Sequence, residues 1–297
     1  MAPWLHHYNH QRRHSVIDRD LCKPRCNRQM TKAVIFSGSH SRHLYVHRGL
    51  IDLFDDLLVI AMDREEMNPE PPPGLDSVDH RNFVRHFRER TEVERNAYGG
   101  LTVSNTFGEV RYVHTRPESL NGPIVCEQVK SFDPDLAFVF GCDMIRYPLL
   151  NLLPKNSLNL HLGLSPWYRG SATLFWPFYF MEPQFAGVTF HRLSDQPDGG
   201  EIVHQSCPAL TEKDGVHDVG ARCVLDAARD ARTIVKRMCD GGAVVGEAQR
   251  TSGRVWRTRD FRPSHLRIIY SLFDNDVVSH YLAGKLGSNI RRLYSCF

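Results

Sequence analysis

The chain has 297 residues, 41% hydrophobic and 24% charged, and a formal net charge of +3. That composition fits a globular protein with one substantial domain and an appendage, or with two domains. It gives no bilayer-spanning run, which needs ~20 apolar residues, and the small charge offers no ground for a nucleic-acid partner.

The start of the chain lacks the basic region, apolar stretch and small-residue cleavage site of a secretory signal. Eight cysteines are scattered, mostly in apolar surroundings such as IVCEQV and VFGCDM. They read as buried thiols rather than a disulfide framework, and a reducing, cytoplasmic compartment is the expectation.

Residues 1–29 carry six basic against two acidic residues, so the excess of positive charge lies there. With no sustained apolar period, this His/Arg-rich leader is expected to be disordered. Cys22, Cys26 and the leader histidines match no closed zinc site, and no metal is expected. Met30 directly precedes the first strand-like run, so an upstream start-codon assignment would account for the leader.

Ala33–Phe36 reads as a buried strand, Ser37–His40 as a tight loop, Ser41 to about Phe54 as a helix and Leu57–Met62 as a second strand. This opening is a parallel α/β unit. Its loop lacks Gly-x-Gly-x-x-Gly, so nothing supports a nicotinamide cofactor. Gly38 either makes the turn or lets a substrate phosphate approach the helix N-terminus beside Ser39. Met67–Ser77, rich in proline, must be a surface loop. His80 to about Ala97 is a charged helix with a narrow apolar stripe. Val110–Val113 is a short strand, and Pro123 to about Phe132 a helix with proline in its first turn. Leu136–Phe140 is an apolar strand suited to the sheet centre, followed at its carboxyl end by Gly141–Ile145.

Ser157–His161 is the next strand. Asn159 and His161, two apart, leave the same face. An amide and an imidazole so placed can bracket a carbonyl oxygen that gains charge, although the pair alone also fits an ordinary half-polar strand. Asp198, in the Gly-rich turn SDQPDGG, could orient the imidazole or take a proton; plain turn chemistry would also explain it. Ala172–Phe180 reads as an aromatic core helix. Phe185–Leu193 and Glu201–Gln205 read as paired strands, and Thr211 to about Cys239 as a long helix. Val244–Thr251 and Val255–Trp256 suggest short strands, and Pro263–Lys285 two more helices. Arg254, Arg257, Arg259, Arg262 and Arg267 form a basic cluster that either meets a phosphate or is a solvated, internally paired surface.

DPDLAFVFGCDMI, LLPKNSLNLHLGLSPWYRGSA and GVTFHRLSDQPDGGEIVHQ together resemble the folate-dependent formyltransferase family. That family includes the methionyl-tRNA, glycinamide ribonucleotide and nucleotide-amino-sugar enzymes. The landmarks are the Asn-x-His pair, the Pro-x-Tyr-Arg-Gly loop and the Asp in its Gly-rich turn. The resemblance implies a Rossmann-like α/β fold, an open, mostly parallel sheet with helices on both faces. Residues 30–207 would be the catalytic domain and 208–297 a mostly helical appendage. It implies 10-formyltetrahydrofolate as co-substrate, with the pterin against Cys142, Asp143, Met144 and Ile145 and the loop from Asp195 to Gly199. Asn159, a protonated His161 kept charged by Asp198, and Asp198 itself would be catalytic. Ser39, Tyr168, Arg169 and Gly170 are the candidate substrate contacts. Gly163-Leu164-Ser165-Pro166 departs from the Ser-Leu-Leu-Pro common in the family, which bears on substrate fit.

The acceptor is expected to be a small-molecule amine. The mostly helical segment after Gln205 has no room for the C-terminal barrel of methionyl-tRNA enzymes, and the near-neutral body argues against tRNA. Glycinamide ribonucleotide enzymes usually stop soon after the core, which leaves a nucleotide-linked amino sugar as the expectation. The same triad would serve a formyltetrahydrofolate hydrolase, though the leader is too short for the regulatory domain such enzymes carry. A non-catalytic folate-binding module is the third reading. No membrane association is expected, and the tail after Arg262 is a candidate homodimer element.

Overall fold

A computed structural model describes residues 31–250 and 253–297. The leader, and the readings made on it, lie outside the described residues, as does Thr251.

Five strands, β1 (Lys32–Gly38), β2 (Asp56–Met62), β3 (Arg111–Thr115), β4 (Leu136–Phe140) and β5 (Ser157–His161), run parallel. A short β6 (Tyr168–Gly170) lies apart from them, while β7 (Val188–Arg192) and β8 (Ile202–Ser206) return antiparallel. The result is a seven-stranded sheet in the order β3-β2-β1-β4-β5-β7-β8. The central strands are apolar along their length because both faces are covered. Ala33, Ile35, Val59 and Phe138 face one core, and Val34, Phe36, Leu58, Ala137 and Val139 face the other.

The first face is covered by α1 (Ser41–Arg48), α2 (Ser77–Tyr98) and α6 (Val216–Cys239), and the second by α4 (Pro123–Phe132). Two short turns of helix, α3 (Val103–Phe107) and α5 (Trp176–Tyr179), also pack into the first core. In α6 the buried residues Val216, Val219, Cys223, Ala227, Ala231 and Ile234 recur every three to four positions. That is the stripe an amphipathic helix buries. β9 (Arg254–Trp256) pairs with β6 in a separate two-stranded sheet, and α7 (Val277–Leu282) follows. The outer edge of β8 is occupied by the chain's own tail, where the Gln205 N–H donates to the Tyr294 carbonyl at 2.8 Å.

Several boundaries differ from those the sequence suggests, each for a local reason. The first helix stops at Arg48 before Gly49, and a 3₁₀ turn, Ile51–Leu53, replaces its expected second half. The charged helix starts early because the Asp76 carboxylate accepts from the N–H groups of Val78 and Asp79, both at 2.9 Å. The aromatic helix shrinks to Trp176–Tyr179, since Ala172 at its expected start is left-handed with φ 55°. The long helix begins at Val216 because Asp214 accepts from the Thr211 N–H and hydroxyl and pairs with Arg222, fixing a turn there. The last helical stretch is broken by left-handed Asp274 and Asn275 into a π-helical run, Arg267–Leu272, and α7.

At the centre of the sheet, the loops after β1 and β4 close around the His43 ring. A Cβ on Gly38 would fall 2.4 Å from both the Gly141 oxygen and His43 Nδ1. Gly38 therefore makes room for the protein's own packing. Cys126, Cys142, Cys207, Cys223, Cys239 and Cys296 are free thiols, and burial pushes Cys142 and Cys207 up to about 12. Among the described residues no helix is long and apolar enough to cross a membrane.

His47, under the sheet, offers Nε2 to the Phe140 carbonyl at 3.3 Å. Burial outweighs that bond and lowers its pKa to about 4. The folded chain thus holds His47 neutral where the unfolded chain, titrating near 6.5, takes up a proton. Stability should therefore fall as pH drops from 6.5 towards 4. In His47→Phe the fall should be shallower, as read by urea unfolding across that window.

Candidate active site

The candidate site forms at the carboxyl ends of β4 and β5, where open α/β sheets place ligands. Asn159 and His161 lie on the same face of β5, and the antiparallel register sets His191 of β7 directly opposite Asn159. The turn between β7 and β8 then brings Asp198 back over the end of β5. Its Oδ1 lies 3.3 Å from His161 Nδ1 and 3.5 Å from His191 Nε2. Its Oδ2 accepts the Gly170 N–H at 2.7 Å. Burial opposes ionisation of Asp198, but His161, His191 and the Gly170 N–H outweigh it and hold the carboxyl well below its usual range.

His191, which the sequence reading passed over, completes the group. Its Nδ1 donates to the Arg192 carbonyl at 2.8 Å, and its Nε2 lies 2.9 Å from the Asn159 amide nitrogen. The period-2 alternation of the hairpin carried a signal for it. Its partner Asn159 lies on β5, 32 residues earlier, and only the pairing of β5 with β7 brings the two together.

His161 Nε2 lies 2.8 Å from the Tyr168 carbonyl, so both ring nitrogens face an acceptor oxygen. Burial lowers its pKa below the ordinary imidazole value, against the upward pull of Asp198 and the Tyr168 carbonyl. The expectation that Asp198 keeps His161 charged is therefore corrected: desolvation of the fully enclosed ring prevails, and His161 is neutral near pH 7.

A cavity of about 1260 Å³ opens beside these residues. Asn159, His161, Asp198 and Gly170 are on its wall, as are Cys142, Asp143, Met144 and Ile145. Other expected contacts are elsewhere. Asp195 faces a shallower cavity of about 600 Å³ with Lys155 and Arg192. Gly199 packs on Gln196 and Arg169. Ser39 is off the wall, its hydroxyl accepting the Arg64 N–H at 2.9 Å.

Tyr168 and Arg169 turn inward and hold the site together. Tyr168 supplies the carbonyl bound by His161 and directs its hydroxyl to Glu182, and the buried Arg169 guanidinium donates to the Pro197 carbonyl at 2.8 and 2.6 Å. Gly170 is left-handed, and a Cβ there would fall 2.0 Å from the Trp256 oxygen.

The opposite wall, from α1, α2 and α6, is rich in charge. Arg42 pairs with Glu94 at 3.3 Å, and Arg90 donates to the Met67 carbonyl at 2.5 Å. Burial, helped by neighbouring cationic groups, lowers His40 to about 4 and His217 to about 3, and also holds His43 and His86 well below their ordinary value. The fixed charge of the lining is therefore mixed, four arginines (42, 64, 90 and 116) against six acidic residues (63, 65, 94, 118, 143 and 198). In the basic cluster, Arg267 is committed to Asp76 and Asp79 and Arg254 stacks on Trp256. Thr258 and Phe261, between the remaining arginines, line the cavity.

A family model described as formyl transferase matches residues 87–231, a span that contains Asn159, His161, His191 and Asp198. Among solved structures, the chain is similar to an N-formyltransferase of Helicobacter canadensis, complexed with folinic acid and dTDP-3-aminofucose. That match has a TM-score of 0.54 at 15% identity and covers 79% of this chain and 73% of that one. A 4-N formyltransferase from Francisella tularensis matches with a TM-score of 0.50 at 16% identity, covering 78% of each chain. A glycinamide ribonucleotide transformylase from Symbiobacterium toebii matches with a TM-score of 0.50 at 18% identity, covering 74% of this chain and 93% of that one. At these identities the likeness to the solved structures is one of fold.

Gly170→Ala should cost more than the roughly 1–3 kcal/mol of a residue forced into a sparsely populated backbone region, because its Cβ also meets the Trp256 main chain. Chemical unfolding at neutral pH checks it.

Proposed function

We propose that this chain, which belongs to the folate-dependent formyltransferase family, moves the formyl group of 10-formyltetrahydrofolate to a small-molecule primary amine, with a nucleotide-linked amino sugar as acceptor. The observation that carries the reaction is the convergence of Asn159, His161 and Asp198 on one cavity wall. The residues present fit a folate. The cavity is of ligand-binding size, and residues 141–145, 193, 194 and 196–198 line it. When bound, the folate supplies a formyl carbonyl that an amine can attack.

Asn159 spends one amide hydrogen on His191 and keeps the second for an oxygen that gains negative charge. His161 suits proton uptake. In either neutral tautomer one ring lone pair faces an acceptor oxygen, and a second proton removes that conflict. Ionised Asp198 supports the imidazolium so formed, so the pair can take the proton that the amine releases, directly or through water.

The nucleotide-linked acceptor draws on charge. Arg42 and Arg90 line the cavity beside Glu94, and arginines 257, 259 and 262 flank the lining residues Thr258 and Phe261. A diphosphate suits such a surface. The sugar-nucleotide ligand of the Helicobacter canadensis protein supports the same class.

Asn159→Ala, His161→Ala and Asp198→Ala should each fold normally and lose at least ~100-fold in turnover with 10-formyltetrahydrofolate and a nucleotide-4-amino sugar, on the scale of a lost oxyanion donor. Steady-state kinetics on the purified variants test this. Near-full turnover in folded His161→Ala contradicts the reading.

A further inference from the structure

We infer that Gln249, contributed by the segment after α6, is a positioning residue that sets the Asp198 carboxylate against His161. The inference rests on the functional reading above for its kinetic consequence, but its geometric content stands apart from it.

Asp198 has φ 46°, in the left-handed region that a non-glycine residue occupies at a cost of about 1–2 kcal/mol. Something must hold the turn there. The Gln249 amide nitrogen donates to the Asp198 carbonyl at 2.7 Å and to the Gly200 carbonyl at 2.8 Å, bridging the turn. Two carbonyls can only accept, so they fix which way the amide points. Its oxygen is left buried with no partner among the described residues. An orientation that leaves a buried acceptor unmatched is one the two donated bonds must outweigh.

The placement of Gln249 is itself built in. Glu247 and Ile202 exchange two backbone hydrogen bonds, each 2.8 Å, in an antiparallel bridge. The Arg192 guanidinium also holds the Val244 carbonyl. Residues 244–249 therefore run along the start of β8 and deliver the Gln249 side chain beneath the turn. On the turn's other side, Arg169 holds the Pro197 carbonyl and the Ser165 hydroxyl donates to the Asp198 carbonyl at 3.3 Å. Gln249 is the member of this clamp that spans both Asp198 and Gly200.

The consequence reaches His161 through Asp198. The charged and titratable groups that bear on His161 are Asp198, His191 and Arg169, and Asp198 alone of these raises its pKa. Relaxing the turn would withdraw that carboxylate and let the His161 pKa fall further.

The test uses the full chain with Gln249→Met, which keeps the side-chain length and removes both donors. The imidazole nitrogens of His161 are titrated by NMR, with no folate present, and kcat and KM are measured separately. The expected result is a His161 pKa below that of the unsubstituted protein. With it, kcat should fall about tenfold or more while KM stays within about threefold, the scale of one or two lost hydrogen bonds. Should Gln249→Met not fold, Gln249→Leu, uncharged and without donors, carries the same expectation. An unshifted His161 titration in a folded variant overturns the inference whatever kcat does. Absence of formyl transfer by the unsubstituted protein would instead overturn the functional reading and leave the titration result standing.

Discussion

Three stretches of chain meet at the Asp198 carboxylate, and the arrangement of the site depends on that meeting. β5 presents His161, the Tyr168–Gly170 strand closes on it with a backbone N–H, and the β7–β8 turn carries the carboxylate itself. The turn is left-handed at Asp198, so it is held from outside, by Arg169 on one side and Gln249 on the other. The antiparallel return of β7 against β5 makes this geometry possible. It folds the turn back over the carboxyl end of the strand from which Asn159 and His161 project.

Burial and charge pull in opposite directions here, and the outcome differs between the partners. Asp198 gathers enough donors and imidazole neighbours to stay ionised despite its enclosure. His161 has the one carboxylate and a carbonyl in its favour, and desolvation wins. A neutral imidazole beside an ionised carboxylate is the protonation state a proton acceptor needs before reaction. Across the cavity the same competition silences His40, His43, His86 and His217, whose neighbours include arginines, so the charge of that wall rests on its arginines and acids. The cavity therefore has a proton-handling side and, beyond it, a lining of mixed charge.

Much of the scaffold is legible in the sequence because its signals are local. Leu136–Phe140 and Ser157–His161 are continuous apolar or alternating runs between strong turn residues, and Pro123 marks the start of α4; all three have the bounds the sequence suggests. Asn159, His161 and Asp198 could be read together because each sits in its own recognisable motif. What could not be read depends on register or on long-range packing. His191 needs the β5–β7 pairing before it falls opposite Asn159. Gln249 needs a bridge to Ile202 formed from a segment with no strand of its own. Tyr168 and Arg169 looked like residues for a substrate because they lie in the Pro-x-Tyr-Arg-Gly loop. Their direction, inward to His161 and Pro197, is set by the pairing of β6 with β9 far along the chain. The charge state of His161 was misjudged because sequence shows a neighbouring carboxylate but not the depth of burial.

The most direct measurement supplies the purified chain with 10-formyltetrahydrofolate and, in parallel, nucleotide-4-amino sugars, glycinamide ribonucleotide, charged initiator tRNA or no amine, following tetrahydrofolate release and the formylated product. The account predicts release that depends on the nucleotide-linked amino sugar, with one formyl group on its amine. Folate turnover without any amine, or formylation confined to tRNA, would contradict it.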